Sequence, residues 1–132
     1  MRNVTLALLL GLTLAACKEK EDPEVKGNDF LYRARLELNA GNYEEARQLV
    51  KQMREQVPLA LNARESGILL MDSINLAEAQ EQLRVTDSLI QVTENPDRLA
   101  RDTMQARFDE ACQKVKFYHR KLQHDRKNKK QH

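Results

Sequence analysis

The chain has few of the residues that interrupt helices. Its 132 residues include no tryptophan, three prolines, four glycines and only 5% aromatic side chains. This scarcity favours long helices with a core of aliphatic side chains, methionine and alanine. Neither sign of charge prevails, because 22 basic residues are balanced by 20 acidic ones, which argues against a nucleic-acid partner. The length argues for a single domain.

A long hydrophobic run is also missing. The apolar segment near the start covers residues 4–14, whereas a bilayer-spanning helix takes about 20 residues. This segment leads into Leu14-Ala15-Ala16-Cys17. A short apolar run before small residues is typical of a cleaved secretory signal, here residues 1–16. Residues 14–17 resemble the lipobox of bacterial lipoproteins. That resemblance implies cleavage between Ala16 and Cys17, and a Cys17 thiol that carries diacylglycerol.

An acyl anchor at Cys17 fixes the compartment that we expect. Each buried lipid CH₂ is worth roughly 0.8 kcal/mol, so two or three chains anchor a protein firmly. Lys18, rather than aspartate, follows the cysteine, which favours the outer membrane, and Lys18 with the acidic residues after it resembles the surface-export signal of Bacteroidetes lipoproteins. We expect a lipid-anchored envelope protein on the periplasmic face of the outer membrane or on the cell surface. The alternative is an ordinary secretory signal, which leaves Cys17 as a plain thiol able to pair with Cys112.

Residues 17–28 are predicted to form a flexible tether between the anchor and the folded domain. Pro23 and Gly27 are residues that commonly break regular structure, and they support this prediction. The short charged segment before them has a second interpretation as a solvated linker without any export role. The first helix is then expected to start at a cap formed by Asn28 or Asp29.

Residues 29–60 are predicted to form a helical hairpin, because apolar residues recur at steps of three and four on both sides of Gly41. The segment AGNYEEA at residues 40–46 resembles the turn and second helix of a tetratricopeptide repeat. The positions that carry the resemblance are Phe30, Ala34, Gly41, Tyr43, Ala46 and Pro58. Glu37 replaces a usual tyrosine, and no second repeat follows, so later helices or another subunit must cover the buried face. A generic hairpin with the same turn is the alternative.

Residues 61–125 are predicted to form a long antiparallel helical pair, similar to a coiled coil. Its first helix carries apolar residues spaced by seven: Leu69, Leu76, Leu83 and Ile90. Asn95-Pro96-Asp97 ends that helix, and the next one carries a matching stripe: Met104, Phe108, Ala111, Val115, Tyr118 and Leu122. The first helix extends about 50 Å, so part of it should project beyond the hairpin. Cys112 is expected to be a half-buried hydrophobic residue beside the stripe.

Two short segments of the long helix add a family resemblance. Met71-Asp72-Ser73-Ile74 and Leu76-Ala77-Glu78-Ala79-Gln80 resemble elements of small Bacteroidetes lipoproteins, in which a lone tetratricopeptide-like hairpin precedes a long helix. The resemblance implies the architecture and the compartment, and no activity.

No catalytic constellation is evident in the sequence. His119 and His124 are five residues apart, which does not place them together on one helical face as metal ligands. No serine lies in a glycine elbow, and no glycine-rich loop is present to hold phosphates. We therefore expect a protein that is not an enzyme and that needs no cofactor or metal.

The C-terminus is the one segment with a charge bias, and residues 126–132 are predicted to form a basic tail. The candidates for contact with anionic lipid or glycan surfaces are Arg120, Lys121, Arg126, Lys127, Lys129 and Lys130. Stabilisation of a helix C-terminus in a solvated tail is the alternative. Our main functional prediction is a membrane-anchored scaffold that binds an envelope protein in the groove of the first hairpin. Two alternatives stay open: a homo-oligomer that associates through the Leu69–Ile90 seam, and a binder of anionic surfaces.

Overall fold

A computed structural model describes residues 21–130, which are 86% helical and contain no strand. The predicted all-α fold is confirmed. The four helices are α1 (Pro23–Asn39), α2 (Tyr43–Gln56), α3 (Leu61–Val92) and α4 (Arg98–Lys129). The predictions on the signal segment and on Cys17 lie outside the described residues.

Helix α1 begins earlier than the sequence suggested. The carboxylate of Asp22 accepts a hydrogen bond of 2.9 Å from the backbone N–H of Glu24, and Pro23 occupies the first helical turn. Proline is tolerated there because the first-turn N–H groups have no partner within the helix. The predicted caps at Asn28 or Asp29 are therefore wrong, and the second half of the predicted 17–28 tether is helical.

The turn between α1 and α2 is formed around a glycine in the left-handed region. Gly41 has a φ of 79°, and its N–H donates to the carbonyl of Leu38 while Asn42 N–H donates to Glu37 O. These two bonds and the left-handed glycine form the Schellman C-cap, in which glycine avoids the clash of a Cβ. The side chain of Asn42 donates to Glu37 Oε2 at 2.8 Å and does not cap α2. Helix α2 ends at Gln56, two residues before Pro58.

The core lies between α1, α2 and the first half of α3. Its buried side chains are almost all aliphatic or alanine: Phe30, Leu31, Ala34, Ala46, Leu49, Val50, Met53, Val57, Ala60, Ala63, Leu70 and Ile74. Glycine lets the helices approach closely, since a Cβ added at Gly67 would lie 2.8 Å from Cε of Met53. Helix α3 thus covers one face of the hairpin.

Helices α3 and α4 run antiparallel, as predicted. Lys121 on α4 contacts Asp72 on α3, and Lys129 near the end of α4 contacts Ser66 near the start of α3. The four seam residues of α3 are half-buried, and the α4 stripe contributes the buried Ala111 and Leu122. Helix α4 reaches Lys129, so the boundary predicted between residues 125 and 126 lies inside a continuous helix.

Candidate functional site

The residues that carry the tetratricopeptide resemblance serve the fold. Phe30 is 6% exposed, and Ala34 and Ala46 are fully buried where α1, α2 and α3 meet. Tyr43 is half-buried against the same core, and Pro58 is exposed after α2. The first half of α3 packs against the core of the hairpin, so candidate surfaces are sought on the exposed side chains of the described residues.

A cluster of three charged side chains joins α3 to α4. Asp72 is only 2% exposed, and its Oδ1 accepts a hydrogen bond of 2.6 Å from Lys121 Nζ. The same ammonium group donates to Asp125 Oδ2 at 2.8 Å. Burial raises the pKa of Asp72, whereas the hydrogen bond from Lys121 lowers the pKa of Asp125. The hydrogen bonds to Asp125 and Asp72 hold the pKa of Lys121 above its usual range.

This cluster changes the reading of Lys121. From the sequence we predicted that Lys121 contacts anionic surfaces. In the structure its ammonium group instead forms ion pairs with the carboxylates of Asp72 and Asp125. The heptad register contained a signal that we missed. Asp72 lies three residues after Leu69 and four before Leu76, on the face of α3 that meets α4. A charged residue at a seam position requires a partner of opposite charge from the facing helix.

Four of the other predicted C-terminal cations lie at one end of the molecule, which we call the basal end. The fifth, Arg120, lies earlier on α4, where it is exposed and its Nε donates to the carbonyl of Lys116 at 3.3 Å. The carboxylate of Glu24 accepts hydrogen bonds from the backbone N–H groups of Asn62 and Ala63, at 2.9 and 3.0 Å. This interaction places the start of α1 beside the start of α3, and Lys129 Nζ donates to Ser66 Oγ at 2.7 Å. The basal end therefore combines the starts of α1 and α3 with the end of α4. Exposed cations are concentrated there on the last turns of α4: Arg126, Lys127, Lys129 and Lys130.

Apolar side chains are exposed at the opposite end of α3. Val85, Leu89 and Val92 are 52%, 44% and 73% exposed, and we call these three residues the distal stripe. Their spacing of four and three residues puts them on one side of the helix. Leu99, at the start of α4, is 77% exposed just across the connecting loop. This surface differs from the Leu69–Ile90 seam, which packs on α4.

The described residues bring no metal-binding set together. His119 is exposed, and Nδ1 of His124 lies 3.0 Å from Asp125 Oδ1. Among residues 21–130, no group of histidine, cysteine and carboxylate side chains has a geometry suited to a metal ion. Cys112 is half-buried, as expected, and no other cysteine lies among residues 21–130.

The chain was compared with protein families, curated proteins and solved structures. Neither a protein-family model, nor a curated protein, nor a solved structure matches the chain. Within the described part of the chain, no helix is both long enough and apolar enough to span a membrane.

Proposed function

We propose that the protein is a lipid-anchored helical scaffold of the bacterial envelope, attached through Cys17 and binding a protein partner with the distal stripe. The observation that carries the proposal is the row of exposed apolar side chains at Val85, Leu89 and Val92. Exposed valines and leucines that repeat at helical spacing on a charged surface are typical of a helix that packs against another helix. A partner helix with a complementary apolar face is the chemistry that fits.

The position of the proposed anchor supports this arrangement. Cys17 precedes Pro23 by six residues, which span at most about 21 Å when fully extended. A lipid on Cys17 therefore holds the basal end close to the membrane. The 32 residues of α3 then extend about 48 Å, with the distal stripe in the last third of the helix. Such a geometry presents the stripe to proteins above the lipid surface.

Lipidation is tested by the mass and the detergent partitioning of Cys17→Ser, expressed in a bacterial host beside the wild type. We expect wild type to carry the mass of a lipid at Cys17 and to enter the detergent phase, and the variant to lose both properties. Cys112→Ser is the matched control and should behave as wild type. An unmodified thiol on a wild-type protein that stays in the aqueous phase would contradict the anchor and make pairing of Cys17 with Cys112 the next test.

Partner binding is tested by a photo-crosslinking amino acid placed at position 89 in cells of the natural host. We expect one discrete adduct, and we expect Val92→Glu to reduce its yield at least tenfold, since a charge buried without a partner at an interface costs more than about 1.4 kcal/mol. Gln91→Glu adds the same charge to the neighbouring position on another side of α3 and should leave the adduct intact. An adduct that both variants reduce equally would contradict a specific site.

Self-association is the second candidate, and the exposure of apolar residues on both sides of the distal loop favours it. Two α3–α4 pairs that pack stripe to stripe form an antiparallel four-helix bundle. In that case the adduct has twice the mass of the chain, and sedimentation shows a dimer that Val92→Glu dissociates. The seam residue Leu76 is a poor test position, because its replacement also disturbs the packing of α4.

A further inference from the structure

A cavity of about 210 Å³ opens near the basal end, between α1, α3 and α4. Its polar lining comes from all three helices: Arg35 of α1, Ser66 and Ser73 of α3, and Arg126 and Lys129 of α4. Arg35 is distant in sequence from the cations of α4, and only the packing of α1 on α3 brings these charges together. This arrangement could not be predicted from the sequence, because Arg35 lies outside the basic segment.

The cavity is positive, and no acidic residue lines it. Among the described residues, neither Arg35 nor Arg126 has a carboxylate within ion-pair distance, and Lys129 Nζ donates to the Ser66 hydroxyl at 2.7 Å. The neighbouring cavity, which shares Lys129, is lined by Glu65 and Asp125 and therefore contains its own counter-charges. Cations that are brought together without such counter-charges repel one another, and an anion bound between them relieves this repulsion.

We propose that this cavity binds a phosphate group. Two guanidinium groups can each donate paired N–H bonds to phosphate oxygens, and a lysine adds a compact positive charge. The Ser66 oxygen accepts from Lys129, so its own hydroxyl proton remains able to donate to the anion. The Ser73 hydroxyl already donates to the carbonyl of Leu69 at 2.8 Å and contributes little to recognition.

The ligand chemistry is a phosphate that comes either from an anionic lipid head group or from a soluble phosphate compound. The site does not depend on lipidation of Cys17, although an anchor there would bring head-group phosphates close to the basal end. A cavity of about 210 Å³ has the volume of several water molecules, each of which occupies about 30 Å³ in the liquid, so it can also hold part of an ester substituent.

The first arm of the test titrates inorganic phosphate into the full chain, purified in a mild non-ionic detergent, and follows binding by calorimetry. The double variant Arg35→Gln/Arg126→Gln removes one guanidinium from each side of the cavity. The double variant Arg33→Gln/Lys127→Gln is the matched control, because it removes the same charge from the same two helices outside the cavity. We expect the first variant to weaken phosphate binding at least tenfold and the control to change it less than twofold, with unchanged helical circular dichroism in both. Equal weakening by the two variants, or no saturable binding by the wild type, would overturn the proposal.

The second arm distinguishes the two sources of phosphate. The full chain with Cys17→Ser, which removes any anchor, is floated with phosphatidylglycerol vesicles and, separately, with phosphatidylcholine vesicles. Flotation with phosphatidylglycerol that Arg35→Gln/Arg126→Gln abolishes and the control variant preserves supports a lipid head group. If Arg35→Gln/Arg126→Gln weakens the binding of inorganic phosphate but does not reduce flotation, the result supports a soluble phosphate ligand. The first arm measures phosphate binding whether or not Cys17 carries a lipid, and the second arm uses Cys17→Ser throughout, so failure of the anchor at Cys17 and failure of this site give different results.

Discussion

Replacement of Gly27 by leucine is expected to separate α1 from the rest of the fold. A Cβ added at Gly27 would lie 2.6 Å from the Cβ of Ala63 and 3.0 Å from that of Ala60. Neither alanine has a flexible side chain that can move aside, so the backbones of α1 and α3 must shift apart. Overpacking of this kind costs about 1–3 kcal/mol and sometimes more, and leucine adds several carbons beyond the Cβ. Its better helix propensity returns about 1 kcal/mol at most.

We therefore expect a net loss of about 2 kcal/mol, from the upper end of the overpacking range less the gain in helix propensity. This loss corresponds to a fall of roughly 10 °C in the melting temperature of a domain of this size. Asn28→Leu is the matched control, because it introduces the same side chain at the next residue of α1, where the surface is exposed. Thermal unfolding followed by circular dichroism compares the two variants with wild type. A Gly27→Leu protein that melts with the control would show that α1 does not pack on α3 at this close distance.

The periodicity of the sequence predicted most of the helices because their signals are local. The seven-residue spacing from Leu69 to Ile90 predicted the helix α3, which contains it, and the Asn95-Pro96-Asp97 segment predicted its end. The cap at Asp97 uses its carboxylate, which accepts from Ala100 N–H at 2.7 Å. The position of the turn at Gly41 could also be predicted from a local signal, because a glycine that follows a periodic apolar stretch commonly ends a helix.

The errors at the N-terminus arose because proline and glycine have more than one role. Proline is common in linkers, and from the sequence Pro23 was assigned to one. It lies in the first turn of α1, where the N–H that proline lacks would have no partner within the helix. Gly27 also reads as a linker residue, yet it is buried and needed for a close helix contact that depends on Ala60 and Ala63, more than 30 positions away. No property of the segment alone distinguishes a glycine that loosens the chain from one that lets two helices touch.

The candidate sites were harder to predict than the fold, because they depend on contacts between distant residues. Arg35 and Arg126 line one cavity although they belong to the first and last helices. Lys121 and Asp72 form an ion pair across 49 positions of sequence. Only the register of α4 on α3 decides which of the C-terminal cations remain exposed and which one is neutralised inside the fold.

Replacement of Lys121 by methionine is expected to destabilise the junction of α3 and α4 by about 3 kcal/mol. Methionine keeps most of the length of the side chain but removes the charge, so the Asp72 side chain, which is 3% exposed, becomes a buried carboxylate without a cation. Removing one partner of a buried ion pair costs about 3–5 kcal/mol, and the lower end applies because the Lys121 side chain is itself 40% exposed. Urea denaturation at pH 7 measures the loss.

The loss of stability caused by Lys121→Met should become smaller as pH falls. Burial already raises the pKa of Asp72 above its ordinary value of 3.8, and loss of Lys121 removes an interaction that opposes the rise. A carboxyl group with a higher pKa in the folded state binds more protons there, so its folded state gains stability as pH falls toward the unfolded pKa. Wild type shows the opposite trend at Asp125, whose lowered pKa gives stability that is lost in acid. The gap between wild type and Lys121→Met should therefore be largest near pH 7 and narrow toward about pH 4.

A double variant separates the effect of charge from that of packing. Asp72→Leu/Lys121→Met replaces the ion pair by two apolar side chains, and such a replacement is often neutral or stabilising. It also removes Asp72 Oδ2, a buried oxygen that has no hydrogen-bond partner among residues 21–130. We expect the double variant to unfold within about 1 kcal/mol of wild type and to show none of the pH dependence of Lys121→Met. If it is as unstable as the single variant at every pH, the lysine stabilises the junction through its methylene groups, and the buried carboxylate does not control how α4 docks on α3.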